Sequence, residues 1–407
     1  MRAYERLIRY AAVHTASDEQ GEGTPSSARQ FDLARLLAEE LTALGARDVF
    51  LDDHCYVYAR IPASAGCEDR PCVGFLAHLD TAPDFCGDDV KPRVVADYDG
   101  GELTLVNSGR VLSPAEFPHL RRLKGKTLIV TDGTTLLGAD DKAGAAEIVT
   151  MAERLLTGDE AHGPVAVAFC PDEEIGHGAE LLDLERFGAV LAYTVDGGAP
   201  GEIEYENFNA AAAKVEVRGF NVHPGAAKNV MVNAALVASE FNAMLPAGDT
   251  PRDTRGYEGF FHLTHMEGNV ERAELDYIIR DHDAGAFEAR KKLMLHNAEL
   301  LNDRYGAGTV TVTLKEQYRN MLEMVRPRFE VVQKAMDAGV ICGMPLTAAP
   351  IRGGTDGAQL SYRGLPCPNL PTGSYGHHGP YEHAVAEEMD ACADLLVEIV
   401  RQFASSR

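Results

Sequence analysis

The sequence predicts an α/β protein with a smaller α+β region inserted into it. Short apolar runs alternate with helical patterns over the first half of the chain; these runs lie at 56–61, 72–77, 165–170 and 192–195. Such alternation is typical of a sheet that helices cover on both faces. From about residue 207 the segments alternate polar and apolar residues, as antiparallel strands with one wet face do. At 407 residues the chain exceeds the usual size of one core, so we expect two domains.

The first region contains several helical patterns with clear start or stop signals. Pro25 and two serines precede a helix whose apolar residues recur at helical spacing from Phe31 until Gly45. Further elements are predicted on either side of the insert: an apolar run at 127–130 and helices at about 143–156, 327–339 and 383–403.

The inserted region carries its own strands and helices. Alternating segments lie at 213–219, 260–268, 271–281 and 309–317, and helical patterns lie between them at about 230–245 and 284–303. We therefore expect an inserted domain at 207–319 and a larger, discontinuous domain at 1–206 and 320–407. No internal repeat is evident.

Charge and hydropathy narrow the classes of partner. The formal net charge of −24 argues against nucleic acid and anionic membranes, because phosphate binding needs clustered Lys and Arg. No apolar run reaches the ~20 residues of a membrane span, and the N-terminus lacks an apolar signal core. We therefore expect a cytoplasmic protein that binds neither nucleic acid nor membrane.

The eight cysteines form no CxxC pair and show no regular spacing. This pattern favours reduced, structural thiols over a disulfide framework or a thiolate zinc site. Any metal ion in this protein should therefore have nitrogen and oxygen ligands.

Acidic and imidazole side chains follow several predicted elements. His78 and Asp80 follow the apolar run at 72–77 and, being two residues apart, point the same way. Other such residues lie at comparable places: Asp140, Asp141, Glu173, Glu174, Asp196, His377 and His378. Each alone has an ordinary explanation as a helix cap, a solvated charge or a turn residue. Their joint placement at one sheet edge predicts a common site.

The residue types in this set indicate metal-assisted hydrolysis. His, Asp and Glu without Cys suit two zinc ions about 3.5–4 Å apart, bridged by a carboxylate and a water. The adjacent Glu173 and Glu174 divide the work well, since one can bind metal while the other takes a proton from the water.

Nine sequence blocks stand out in order along the chain: AHLDTAPD, GADDKAGAAEI, PDEEIGHGA, TVDGG, VHPGAAKNVMVNA, GYEGFFHL, YIIRDHD, PIRGGTDGAQLSYRGLPCPNL and HGPYEH. In order and spacing, these blocks resemble the peptidase T family of bacterial aminotripeptidases. This family belongs to the di-zinc exopeptidase superfamily, which also holds aminoacylases and carboxypeptidase G. The resemblance implies a zinc-exopeptidase-type mixed sheet flanked by helices, with the insert as a lid and dimerisation domain. It also implies an aminopeptidase that releases the N-terminal residue from short peptides, tripeptides in particular.

The resemblance also implies a role for each residue of the set. Glu173 is the general base, and Asp80 accepts a hydrogen bond from His78, which fixes its tautomer and raises its basicity. Asp140 bridges the two zinc ions, and its peptide bond to Asp141 is cis. The implied ligands are His78, Asp140, Glu174, Asp196 and His378.

His377 departs from the family pattern, and it could compete with His378 for the metal ion. The family's imidazole immediately precedes the glycine that is Gly379 here, which favours His378.

The insert is expected to supply substrate contacts. The resemblance makes His223 a donor to the developing oxyanion, either in its own subunit or across a homodimer formed through the insert. Arg280 and Arg352 are candidates for binding peptide carboxylate or carbonyl oxygens, a role that suits a planar guanidinium.

Two other functions for the same predicted metal site stay open. One is a related amidohydrolase acting on dipeptides or N-acyl amino acids, and the other is a metal-loaded binding protein without activity. Nucleotide binding is not expected, because KGKT at 124–127 precedes a strand instead of following one, and RGGTDG lacks dinucleotide-binding spacing.

Overall fold

The computed structural model describes residues 1–405, which form two compact units. The first unit comprises Met1–Tyr205, Met321–Ala349 and the chain from Thr355 onward, and the second comprises Glu206–Asn320 and Pro350–Gly354. The residues expected in the insert, 207–319, lie in the second unit. The segment Pro350–Gly354, expected in the larger domain, groups with the second unit instead. One reason is that the Arg352 guanidinium donates to backbone oxygens of Gly256 and Glu258.

The first unit is built on an eight-stranded mixed sheet. Its strands are, in spatial order, Arg47–Leu51, Val57–Ile61, Val165–Cys170, Val73–His78, Leu191–Gly197, Asn369–Pro371, Glu202–Asn207 and Thr347–Ile351. The four strands from Val165–Cys170 to Asn369–Pro371 run parallel, so their carboxyl ends share one edge. This mixed sheet, flanked by helices, confirms the predicted fold class.

Helices cover both faces of this sheet, which explains the continuous apolar runs of its central strands. Every residue of Val73–His78 and Val165–Cys170 is buried. Helix Ala139–Thr157 packs against Val73–His78 and Leu191–Gly197. A Cβ atom on Gly144 of this helix would lie 1.7 Å from the carbonyl oxygen of Val195, so the close approach of helix and strand requires glycine there.

The other helices of the first unit are short or amphipathic. They are Ala3–Ala11, Gln30–Leu44, Leu184–Phe187, Leu322–Val325, Glu330–Ile341, Asp356–Tyr362 and Ala386–Ala404. Leu184–Phe187 and Asp356–Tyr362 pack on the sheet, where Phe187 and Leu360 join one apolar cluster with Ala166 and Ala168.

The apolar run at 127–130 forms a strand, but it does not join the large sheet. Leu128–Val130 lies in a separate four-stranded sheet, whose order is Ser374–Tyr375, His383–Val385, Leu128–Val130 and Arg93–Val95. These short strands cover a small core of their own that includes Leu120, Leu128 and Val385. A two-stranded ribbon, Leu103–Thr104 with Val111–Leu112, adds to this side of the unit.

The second unit is a four-stranded antiparallel sheet with two helices. The strand order is Phe260–Gly268, Arg272–Asp281, Asn209–Arg218 and Val310–Tyr318, and the helices are Ala234–Ala243 and Ala284–Tyr305. Alternate residues of Arg272–Asp281, such as Leu275 and Ile279, are buried in a core shared with both helices. The alternating pattern thus marks a sheet with one packed and one wet face.

The state of the cysteines and the polarity of the helices bear on two predictions from composition, reduced thiols and no membrane span. All eight cysteines are free thiols. Across residues 1–405, every helix is too short or too polar to cross a lipid bilayer.

Candidate metal centre

The shared carboxyl edge of the parallel strands brings two predicted ligands together. His78 is the last residue of its strand, and Asp196 lies near the end of the neighbouring strand Leu191–Gly197. His78 Nε2 lies 3.0 Å from Asp140 Oδ1 and 3.6 Å from Asp196 Oδ1. Burial opposes the charged imidazole, but Asp196 and Asp140 together raise the pKa of His78 well above its ordinary value.

Asp80 fixes the orientation of His78. The Nδ1 atom of His78 lies 3.0 Å from the Asp80 carbonyl oxygen and 3.4 Å from Asp80 Oδ1. Because a carbonyl oxygen only accepts, Nδ1 carries a proton, so Nε2 is the nitrogen that a metal ion can bind once it displaces the second proton. The backbone of Asp80, rather than its carboxylate, makes the shorter contact.

Asp140 and Asp141 lie in the first turn of the helix Ala139–Thr157, and their carboxylates have different partners. Their peptide bond is cis, as the family resemblance implies, and both residues have non-helical dihedral angles. Asp141 Oδ1 accepts the Gly144 N–H (3.1 Å), and Oδ2 accepts the His78 N–H (3.2 Å). Asp141 therefore satisfies the backbone at the helix start, which leaves the Asp140 carboxylate facing the imidazoles.

Glu173 and Glu174 lie in a short 3-10 turn, Glu173–Ile175, that follows strand Val165–Cys170. The Asp80 carboxylate accepts the backbone N–H groups of both glutamates, at 3.0 and 3.2 Å. Burial, and next the repulsion by Asp196, raise the pKa of Glu173 well above its ordinary value. Burial also raises the pKa of Glu174, to about 7.

Both candidate histidines of the C-terminal segment reach Asp140. His378 Nε2 lies 2.9 Å from Glu174 Oε2 and 3.3 Å from Asp140 Oδ2, and these contacts raise the pKa of His378 to about 11. His377 Nδ1 lies 3.4 Å from the same Asp140 oxygen, while its Nε2 is 2.8 Å from Ser374 Oγ. One ring nitrogen of His377 is thus already engaged by a hydroxyl.

The donor set fits a divalent cation. One ligand atom each from His78, Asp140 and Glu174 lies within 4.8 Å of the others, and the same holds for His78, Asp141 and Asp196. Glu174 Oε1 is buried and has no hydrogen-bond partner among residues 1–405. A buried, unpaired carboxylate oxygen is costly unless a cation or proton satisfies it. Imidazole and carboxylate ligands without thiolate suit zinc and similar ions.

Two buried carboxylates near this centre were missed by the sequence analysis. Glu382 accepts three backbone N–H groups of the segment 137–140. Asp356 is 4% exposed, and its carboxylate packs against Gly178, just beyond the acidic turn. Both residues lie in blocks that carry the family resemblance, but spacing alone gives no sign of contacts between such distant segments.

The predicted substrate residues lie in the second unit. His223 is exposed, and its Nδ1 accepts the Gly225 N–H at 3.1 Å, so Nε2 carries the proton and can donate. The Arg280 guanidinium donates to the carbonyl oxygens of Ala211 and Ile279 and lies over the Tyr318 ring.

The Arg352 guanidinium, a candidate for binding peptide oxygens, is already engaged by groups of the protein. Its guanidinium donates to Gly256, Glu258 and Thr254 within the second unit, at 2.8 to 2.9 Å. It also lies over the rings of Phe208 and Phe260. These contacts hold the loop around residue 256.

Known proteins of similar sequence match this chain over nearly its whole length. Residues 205–309 match the family model described as "Peptidase dimerisation domain". Peptidase T of Geobacillus kaustophilus is 51% identical over 401 residues, which cover 98% of this chain and 97% of that protein. Peptidase T of Clostridium perfringens is 50% identical over 404 residues, which cover 99% of each.

Solved structures share the fold at lower identity. The aminopeptidase PepT of Bacillus cereus has a TM-score of 0.78 and 23% identity, covering 99% of this chain and 98% of its own. A tripeptidase of Staphylococcus aureus has a TM-score of 0.79 and 20% identity, covering 100% and 98%. A dinuclear metal-binding peptidase of the M20 family from Bacillus subtilis has a TM-score of 0.65 and 16% identity, covering 100% and 99%.

Proposed function

This chain belongs to the peptidase T family of metallo-exopeptidases, and from this membership we infer that it is a metal-dependent tripeptide aminopeptidase. The observation that carries the inference is the convergence of His78, Asp140 and Glu174, with a buried Glu174 oxygen that lacks a partner. Relatives at about half identity over the full chain are peptidase T, which disfavours the amidohydrolase alternative.

We propose that the metal sites hold two zinc ions per subunit. His78, Asp140, Glu174, Asp196 and His378 would be the ligands, with Asp140 between the two ions. The nitrogen and oxygen donor set supports zinc, and the dinuclear B. subtilis peptidase of the same fold supports a pair of ions. Bound there, the ions would polarise the scissile carbonyl and lower the pKa of the attacking water.

Glu173 would move the proton in this reaction. Burial raises its pKa above that of an ordinary carboxyl group, which suits a base that takes a proton from water and returns it to the leaving amine nitrogen. Asp80, which accepts the Glu173 N–H at 3.0 Å, would hold the backbone of this base in place. His78 would keep its Nε2 lone pair available because Nδ1–H donates to the Asp80 carbonyl.

The second unit would bind the peptide. His223, with a proton on Nε2, is suited to donate to the oxyanion that develops on the scissile carbonyl. Arg280 and Arg352 remain candidates for the peptide's carboxylate or carbonyl oxygens. Because the Arg352 donors already serve three acceptors, any substrate contact there would have to be shared with them.

We further propose a cytoplasmic homodimer formed through the second unit. The match of residues 205–309 to a peptidase dimerisation domain supports the dimer. Eight free cysteines are typical of a protein kept in a reducing compartment, which supports the cytoplasm.

A substrate panel tests the proposed function. The zinc-loaded protein is assayed on Ala-Ala-Ala, Ala-Ala, N-acetyl-Ala and N-acetyl-Ala-Ala-Ala, with the Glu173→Gln variant as the control for contaminating peptidases. We expect hydrolysis of the free tripeptide with release of its first residue, and little hydrolysis of the others. Faster hydrolysis of Ala-Ala or N-acetyl-Ala would favour the amidohydrolase alternative, and full zinc loading without any hydrolysis would favour a binding protein.

A further inference from the structure

We propose that Glu382 is a positioning residue that presets the Asp140 carboxylate as a metal ligand, by holding the turn 137–140 in place. The inference rests on the proposed function, since it concerns the same metal centre. It assigns a role to a residue that is not itself a ligand.

The Glu382 carboxylate makes three hydrogen bonds to one turn. Oε2 accepts the N–H groups of Leu137 and Gly138, both at 2.7 Å, and Oε1 accepts the N–H of Asp140 at 3.0 Å. Glu382 is 2% exposed, so these bonds are shielded from water. A buried carboxylate satisfied by several backbone donors is a rigid anchor.

The N–H groups of this turn need acceptors from outside, because helical hydrogen bonds do not supply them. Gly138 has φ of 74°, and the dihedral angles of Asp140 and Asp141 are non-helical. The first N–H groups of a helix have no partner within the helix. Glu382 supplies the acceptor for one such group, the Asp140 N–H, and for the Leu137 and Gly138 N–H groups just before the helix. It thereby fixes where the Asp140 side chain begins.

Glu382 also joins two ligand-bearing segments that lie far apart in sequence. Strands Ser374–Tyr375 and His383–Val385 pair and close a loop that contains His377, His378 and Glu382. The same carboxylate that holds the Asp140 turn is therefore part of the loop that presents His378. One residue thus sets the relative placement of the Asp140 carboxylate and the His378 imidazole.

Asp80 provides a second example of this arrangement in the same centre. Its carboxylate accepts the N–H groups of Glu173 and Glu174, so each acidic turn of the site is held by a buried carboxylate from another segment. Outer partners of this kind typically change metal affinity by about 10–100-fold when they are altered.

The test measures zinc affinity, independently of peptidase activity. In Glu382→Gln, an amide NH2 replaces one accepting oxygen, so at least one N–H of the turn loses its acceptor. Metal-free wild type and variants are titrated with zinc against a chromophoric chelator. We expect Glu382→Gln to bind zinc about 10–100-fold more weakly than wild type, and the activity lost at limiting zinc to return largely at saturating zinc.

Glu388→Gln is the matched control, because Glu388 follows the same hairpin but accepts from the Tyr375 hydroxyl, not from the turn. Wild-type zinc affinity in Glu382→Gln, or an equal loss in Glu388→Gln, would overturn the proposal. If Glu382→Gln does not fold, Glu382→Asp keeps both oxygens on a shorter arm, and unchanged affinity in that variant would overturn it as well. Wild-type protein that binds no zinc would instead overturn the proposed function.

Discussion

The Nε2 atom of His378 lies 2.9 Å from Oε2 of Glu174, although the two residues are more than two hundred positions apart in the chain. The neighbouring His377 instead places its Nε2 against the Ser374 hydroxyl. Because the sequence offers two adjacent imidazoles, this contact favours His378 as the metal ligand.

The two histidines can be separated by mutation. We expect His378→Ala to lose one zinc ion per subunit and nearly all turnover, since an imidazole ligand is removed. His377→Ala should keep both ions and most of the activity. Metal content after dialysis and kcat on a tripeptide measure the two effects, and the reverse result would reassign the ligand to His377.

Substitution of each adjacent glutamate in turn should separate metal binding from proton transfer. In Glu173→Gln we expect kcat to fall about 10²–10⁴-fold while zinc content is kept, because the base is lost but the ligands remain. Glu174→Gln should lose zinc as well as activity, since its unpartnered buried oxygen suits a ligand. Zinc loss in Glu173→Gln, with zinc kept in Glu174→Gln, would exchange the two assignments.

Much of the fold could be predicted because buried strands leave a strong pattern. The run at 165–170 matches strand Val165–Cys170, since burial on both faces makes the whole strand apolar. Strand Asn369–Pro371 could not be predicted in this way. It has only three residues, and its place in the sheet depends on pairing with Thr194 and Val195.

The same contrast holds for the candidate site. His78 and Asp196 could be predicted as neighbours, because parallel strands end at one edge. The apolar run at 127–130 indicated a strand but not its place in the fold, since this strand belongs to a separate small sheet. Glu382 could not be identified, because its contacts with Leu137 and Asp140 join segments more than two hundred residues apart.

Asp356 should make the stability of the metal-free protein depend on pH. Burial raises the pKa of Asp356 to about 8, and one of its oxygens has no hydrogen-bond partner among the described residues. The folded state therefore binds this proton more tightly than the unfolded state, whose Asp pKa is about 3.9. The stabilising contribution is complete below pH 4 and is lost as the pH rises toward 8.

A comparison with Asp356→Asn isolates this group, because asparagine does not titrate. We expect the Tm of the metal-free variant, relative to metal-free wild type, to rise by about 5 °C or more between pH 5 and pH 8. Thermal unfolding in the presence of a chelator measures this difference. Asp303→Asn, at an exposed position, should show no such trend. A constant difference between Asp356→Asn and wild type would contradict the prediction.

Mixed dimers can decide whether His223 acts in its own subunit or in the partner. His223 is exposed and presents Nε2–H as a donor, so it is free to serve either site. Glu173→Gln and His223→Ala each remove one function, and both homodimers should be nearly inactive. If His223 acts across the dimer, a mixed dimer has one site with both groups intact and regains about half of the wild-type activity, a complementation expected for sites shared between subunits. Dimers purified with two affinity tags measure this recovery, and a mixed dimer as inactive as its parents would place His223 in its own subunit.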